Sequence, residues 1–141
     1  MDLDYELVSQ KLNDKVSALV LNPIGREDTF LDVMSADPKR REEAALIRRS
    51  LVRIYENGLD YAVDAGLLKR LKGTKDIALF EVKAKRTVFR VMSYAAGRPE
   101  ALIVLLFDFK GHQQRSSGGI PHATMTKALE LARIAKQLIE E

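Results

Sequence analysis

The segment from residue 77 to residue 109 constrains the fold more than any other part of the chain, because it predicts three consecutive strands. The first strand has two faces, with Ala78, Phe80, Val82 and Ala84 on one and Leu79, Glu81, Lys83 and Lys85 on the other. A tight turn near residues 85–87 leads to a second strand over residues 88–95. The third, Ala101 to Phe107, is apolar on both faces, as a central strand would be. Together these segments predict an antiparallel meander.

Three helices are predicted around these strands. The dipeptide Asp28-Thr29 can cap a short helix that runs to about Ala36. Asp37 can cap a longer helix that begins at Pro38 and ends at Asn57-Gly58. Its core-facing residues follow helical spacing: Ala44, Ile47, Leu51, Ile54 and Tyr55. The segment from about residue 123 to residue 139 is amphipathic and predicts the last helix.

The N-terminal residues complete an α+β order. Lys15 to Leu21 is apolar and β-branched and is stopped by Asn22-Pro23, which predicts a strand, and a short helix is expected within residues 3–13. The predicted order is β-α-α-β-β-β-α, a small twisted antiparallel sheet with helices packed on it. We expect a single domain over residues 1–141, with residues 1–14 as an N-terminal extension and residues 110–122 as an extended loop.

Composition excludes several classes of protein. The chain has no cysteine, which excludes disulfides, thiolate metal sites and a cysteine nucleophile. Its longest apolar run, Ala101 to Phe107, is far shorter than the roughly 20 residues that a membrane helix needs. The acidic start, Met-Asp-Leu-Asp, does not resemble a secretory signal, so we expect a cytoplasmic protein.

Charge is distributed unevenly along the chain. The net charge of +3 combines an acidic stretch, residues 1–38, with a basic remainder. Residues 69–90 alone hold eight bases and only two acids. Clustered cations of this kind suit a polyanion, an acidic protein partner or simply a solvated face, and composition does not choose among the three.

Several short motifs lie on this predicted framework in a recognisable order. They are Gly58 at a helix end, Leu71-Lys72-Gly73, Leu79-Phe80-Glu81-Val82-Lys83, Phe89-Arg90, Leu105-Leu106-Phe107-Asp108-Phe109, and Pro121 with Ala128 seven residues later. In this order and spacing, residues 15–141 resemble the RelE/ParE toxin superfamily of bacterial toxin–antitoxin systems. The resemblance is closest to the HigB-like, phage-derived branch, and it implies a RelE-like fold.

The resemblance also implies an endoribonuclease, an mRNA interferase that cuts mRNA in the ribosomal decoding site. In that chemistry the ribose 2′-hydroxyl attacks its own phosphate and the 5′-oxygen leaves, without a metal or a small-molecule cofactor. One group must accept a proton, another must supply one, and cations must face the developing phosphorane charge. The implied partners are a cognate antitoxin protein, the ribosome and mRNA, and no membrane.

The candidate site residues are cations and histidines of the meander and of the loop that follows it. The catalytic candidates are Arg90, Lys83, Lys85, His112 and Lys110, and the RNA-binding candidates are Lys72, Lys75, Arg86, Arg115 and His122. Arg90 lies in an otherwise apolar strand and needs an anionic partner, either a phosphate or Glu81 across the hairpin. His112 titrates near neutrality, which suits acid–base work, although a loop histidine is commonly only solvated.

Two other functions stay open on the sequence. A toxin of this fold can act without catalysis by binding DNA gyrase, as in the ParE-like branch, and a phage-derived module can bind protein with no activity left. The family commonly has Lys-Lys where this chain has Gly111-His112, which favours these alternatives. Lys83, Lys85 and Arg90 favour RNA cleavage.

Overall fold

The structure, a computed structural model, describes residues 4–71, 77–83, 89–95, 102–109 and 122–140. Its strands are β1 (Tyr5–Lys11), β2 (Ser17–Pro23), β3 (Leu68–Arg70), β4 (Ala78–Val82), β5 (Phe89–Ala95) and β6 (Leu102–Phe109). Its helices are α1 (Phe30–Ala36), α2 (Arg41–Asn57), α3 (Leu59–Asp64) and α4 (His122–Glu140). The predicted α+β class is confirmed.

The strands form one sheet in the spatial order β1-β2-β6-β5-β4-β3. The predicted meander is confirmed, because β4, β5 and β6 are antiparallel neighbours in chain order. β6 lies between β5 and β2, the central position that its apolar sequence predicts. β2 pairs with β6 in parallel, through Leu19 with Ile103 and Val20 with Val104, so the sheet is mixed rather than wholly antiparallel. A short turn would force an antiparallel pair, but β2 and β6 are joined by a long connection through other elements, which allows them to pair in parallel.

The helix expected within residues 3–13 is wrong: Tyr5 to Lys11 is the edge strand β1, paired with β2 along its whole length. A hairpin turn sets this pairing. The side-chain oxygen of Asn13 accepts hydrogen bonds from the backbone N–H groups of Lys15 and Val16, each at 2.8 Å. An asparagine that binds its own following backbone is a turn signal, and it outweighs the weak helical pattern.

The long helix starts three residues later than predicted. Asp37 does not cap α2; it is the C-terminal cap of α1, and residues 38–40 form a turn in which Arg40 N–H donates to the Asp37 carbonyl at 2.9 Å. α2 begins at Arg41 without a side-chain cap. Its predicted end is confirmed, because Gly58 takes a positive φ of 92° and its N–H closes on the Ile54 carbonyl.

Two further elements were not predicted, α3 and β3. α3 follows Gly58 directly, and β3 is a three-residue strand that pairs with β4 at the sheet edge. The Arg70 guanidinium lies 5.7 Å from the centre of the Phe80 ring, a cation–π contact across this pair. An element this short has too few residues to show a period.

Helices cover both faces of the sheet. On one face, α1, α2 and α3 pack on Ala18, Val20, Phe80 and Val82. On the other face, α4 packs through small residues, including Ala128 and Ala132, on residues of the intervening positions such as Leu21 and Leu79. The predicted two faces of β4 and the predicted stripe of α2 are therefore confirmed. Of the helices that the described residues form, none has the length and apolar content that crossing a membrane requires.

A polar network ties the β1 edge to the helices above it. Thr29 caps α1 in a capping box with Asp32, as predicted, and its hydroxyl also donates to the side-chain carbonyl of Gln10. The Gln10 amide donates to Asp32 at 3.1 Å, and Arg48 of α2 donates to the Lys11 carbonyl at 2.9 Å. These bonds satisfy buried polar groups and fix the position of β1 relative to α1 and α2.

Tyr55 links α2 to the sheet. Its hydroxyl accepts a hydrogen bond from the backbone N–H of Leu19 at 3.2 Å. Burial raises the pKa of Tyr55 to about 12, and the Leu19 N–H opposes that rise only in part. The neutral phenol is therefore favoured in the folded chain, and it holds α2 against β2 next to the parallel pair.

We expect Tyr55→Phe to lower the free energy of unfolding at pH 7 by about 1–3 kcal/mol, because it leaves the Leu19 N–H without this acceptor. Tyr61, which is 40% exposed, provides the matched control, and Tyr61→Phe should cost less than about 0.5 kcal/mol. Chemical denaturation at pH 7 measures both. Equal effects for the two variants would contradict this role of Tyr55.

The same tyrosine predicts a dependence of stability on alkaline pH. The folded chain holds the Tyr55 proton more tightly than the unfolded chain does, so this contribution is complete below pH 10 and is lost as the pH rises toward 12. The difference between the wild type and Tyr55→Phe should shrink over that window by about 2 kcal/mol. A difference that stays constant from pH 9 to pH 12 would contradict the raised pKa.

Candidate functional site

Charged residues singled out by the sequence lie in a row at one end of the sheet. β4 ends at Val82, whose partner on β5 is Val91. Lys83 follows Val82 directly and Arg90 precedes Val91, so both lie one residue beyond this last pair, and Arg90 is itself the partner of Asp108 on β6. We call the backbones of Lys83, Arg90 and Asp108, at this end of β4, β5 and β6, the strand-end row.

Lys83 is held at this end by contacts on three sides. Its N–H donates to the Leu67 carbonyl at 2.7 Å, and its carbonyl accepts from the Ser50 hydroxyl at 3.3 Å. Its ammonium lies 3.2 Å from the Glu81 carboxylate, which is only 7% exposed, whereas the Lys83 side chain is 46% exposed. A half-exposed ammonium beside a buried carboxylate is oriented and still open to solvent.

Glu81 has a clear role in this arrangement. It lies two residues before Lys83 on the same face of β4, as the alternating pattern predicts. Its partner in the register is Met92, two residues from Arg90. Glu81 forms an ion pair with Lys83, the residue that directly follows β4.

The remaining predicted residues divide into two groups. His122 is the first residue of α4 and is exposed, and the backbone of Arg90 lies within β5. The others lie outside the described residues: Lys72, Lys75, Lys85, Arg86, Lys110, His112 and Arg115. The predicted turn at residues 85–87 and the extended loop, apart from His122, lie outside them as well.

A groove that the sequence did not predict opens beside the row. It has a volume of about 480 Å³ and lies between α2 and the turn that leads from α3 into β3. α2 contributes Leu46, Arg49, Ser50 and Arg53, and residues 65–67 and Lys83 form the other wall. We call this the α2 groove. The sequence feature that could have indicated this groove is the spacing of Arg49 and Arg53, which lie one helical turn apart and off the apolar stripe of α2.

The geometry favours binding of an anion at this end of the molecule. The backbone of Lys83 is held by hydrogen bonds with Leu67 and Ser50, and the Arg53 guanidinium by a hydrogen bond to Tyr61, which reduces the entropy lost when a ligand binds. The described residues contain no group of three or more histidine, aspartate or glutamate side chains placed to hold a metal. Comparison of the chain with protein-family models, curated proteins and solved structures gives no match.

We expect Lys83→Met to lower the free energy of unfolding by about 1–2 kcal/mol, because it removes the cation beside a buried carboxylate. Lys127→Met is the matched control, since Lys127 lies 3.9 Å from a Glu130 carboxylate that is 61% exposed. Its cost should stay below about 0.5 kcal/mol. If denaturation curves show the same loss for both variants, the Glu81 pair does not hold this strand end.

Proposed function

We propose that this chain is a toxin of the RelE/ParE type and a ribosome-dependent mRNA endoribonuclease. The order β2-α1-α2-β4-β5-β6-α4 supports this proposal, since it matches the β-α-α-β-β-β-α order that the resemblance implies. β1, α3 and β3 are additions to that order. The antiparallel contacts among β4, β5 and β6 also support it, because the motifs of the resemblance lie on those strands.

The strand-end row is the observation that carries the proposal. Two residues expected to hold the scissile phosphate, Lys83 directly after β4 and Arg90 on β5, each lie one residue beyond the last pair of the register, Val82 with Val91. A phosphodiester that gains charge in the transition state needs cations already in place on one side. The guanidinium of an arginine can bind two phosphate oxygens at once, which a lysine cannot do.

In the proposed reaction Lys83, Lys85 and Arg90 hold the scissile phosphate. The 2′-hydroxyl loses its proton to a base and forms a bond to phosphorus, and the bond to the 5′-oxygen breaks as that oxygen gains a proton. His112 or Lys110 moves the proton, and Lys72, Lys75, Arg86, Arg115 and His122 contact the RNA. The products are a 2′,3′-cyclic phosphate and a 5′-hydroxyl.

Glu81 is a positioning residue in this proposal. Its carboxylate is buried and contacts the Lys83 ammonium at 3.2 Å, so it restricts where that ammonium can lie. Restricting a cation in advance reduces the reorganisation needed when charge develops on the phosphate.

We expect Arg90→Ala to slow mRNA cleavage about a hundredfold, on the order of 3 kcal/mol, because one charge-assisted phosphate contact is lost in the transition state. Antitoxin binding should be largely unchanged. Mapping of mRNA 5′ ends during induction in growing cells, together with the growth rate, measures the effect.

Arg133→Ala is the matched control, because Arg133 is exposed on α4 and its substitution removes the same charge outside the proposed site residues. This variant should cut mRNA and arrest growth as the wild type does. If Arg90→Ala also produced identical ends and identical arrest, Arg90 would be structural and the site would be misplaced. If the wild type produced neither ends nor arrest, the non-enzymatic alternatives would replace this proposal.

A second prediction concerns the antitoxin. A basic surface that must stay open for RNA should be covered by an acidic segment when the toxin is silent, through an amphipathic helix or a strand. The product of the neighbouring gene should therefore co-purify with this chain at low salt. Absence of a complex under those conditions would remove this part of the proposal.

A further inference from the structure

The α2 groove carries charge that the strand-end row does not use. Arg49 and Arg53 project from one side of α2, and no carboxylate is among the described residues that line the groove. The Arg49 side chain forms no hydrogen bond or ion pair with any other described residue. An arginine side chain that no described carboxylate pairs with, beside a second arginine, raises the local affinity for anions.

An exposed aromatic ring lies at the edge of this groove. Arg53 donates a hydrogen bond from Nη2 to the Tyr61 hydroxyl at 3.0 Å. Tyr61 is 40% exposed, so its ring is fixed at one end while much of its surface stays open to solvent. A positively charged groove with an accessible aromatic ring is the combination by which proteins bind single-stranded nucleic acid.

The groove also has a suitable size and hydrogen-bonding capacity. Its volume of about 480 Å³ lies within the range of about 300–1,000 Å³ that is common for small-molecule sites. The Ser50 hydroxyl lines it beside the two arginines, and because it donates to the Lys83 carbonyl it can accept a hydrogen bond from a ligand. One nucleotide unit, with its phosphate on the arginines, is of this scale.

We infer that the α2 groove is a second RNA-binding site, which holds one nucleotide of a single strand. Arg49 and Arg53 bind its phosphate, and Tyr61 stacks on its base. The inference rests on the proposed function, because it takes the substrate to be RNA. Lys83 belongs both to the wall of the groove and to the strand-end row, so the groove adjoins that row.

An acidic peptide is the competing occupant of a basic groove. Two features favour RNA over it: the exposed ring of Tyr61, and the position of the groove beside the proposed phosphate-binding residues. A base offers a flat face to stack on that ring, whereas aspartate and glutamate side chains do not.

The test measures binding of the full chain to a labelled single-stranded 2′-O-methyl oligonucleotide of about ten nucleotides by fluorescence anisotropy. The oligonucleotide lacks the attacking hydroxyl, so binding is measured without cleavage. Arg49→Gln/Arg53→Gln should weaken binding about ten- to a hundredfold and, because one phosphate contact is lost, lower the slope of log K against log salt by about 0.7. Tyr61→Leu should weaken binding about fivefold or more.

Arg133→Gln/Lys136→Gln is the matched control, since it removes two exposed cations from α4. It should change binding by no more than about threefold. If the groove double variant fails to fold, Arg49→Gln alone gives the same test, because its side chain bonds no described residue. Its expected loss is about three- to tenfold.

Equal losses for the groove variant and the α4 control would overturn the inference. So would groove-dependent binding of a poly-glutamate peptide without binding of the oligonucleotide, which would assign the groove to an acidic partner. Groove-dependent oligonucleotide binding by a chain that cuts no mRNA would support the inference and contradict the proposed endoribonuclease.

Discussion

Burial of the sheet on both faces is the constraint on which the rest of the structure depends. In β4, Phe80 and Val82 belong to the core on the side of α1, α2 and α3, and Leu79 belongs to the core under α4, so this strand packs against helices on both faces. β2 does the same with Val20 and Leu21. Charged side chains are costly in such positions unless they are paired, and they are therefore favoured where a strand ends. Lys83, directly after β4, is at such a place.

The register then decides which strand ends meet. Because Val82 pairs with Val91, the residues that follow and precede them, Lys83 and Arg90, lie one residue beyond this last pair. Glu81 is buried within β4, and its carboxylate is paired with the Lys83 ammonium at 3.2 Å. A fold that buries both faces of its sheet thus favours charged residues at this end of the strands, beside the α2 groove, and this is the surface that the proposed function uses.

The parts of the fold that sequence predicts are those with a repeating pattern. The alternation in β4, the apolar run of β6 and the stripe of α2 each repeat a period, and the structure confirms all three. The predictions for the start of α2 and for residues 3–13, which form the edge strand β1, were wrong because both features depend on turn chemistry. Asp37 accepts from the turn N–H of Lys39 instead of capping α2, and Asn13 closes the hairpin between β1 and β2.

The candidate site was predictable only in part, for a related reason. Lys83 and Arg90 stand out in the sequence as cations next to apolar strand residues, but their alignment follows from a register that no single strand contains. The α2 groove brings Arg49 and Arg53 beside Lys83, which follows them by thirty residues or more, and only tertiary packing creates that contact. The clustered cations suit a polyanion, an acidic partner or a solvated face, and composition alone does not say where a ligand would bind.

The central claim is that this surface cuts translated mRNA by attack of the 2′-hydroxyl. The most direct test adds the purified full chain to a reconstituted translation reaction and maps every mRNA 5′ end. The account predicts new ends within coding sequence, each with a 5′-hydroxyl, and only while ribosomes translate. New ends that carry a 5′-phosphate, new ends that form equally well without ribosomes, or no new ends at all would contradict it.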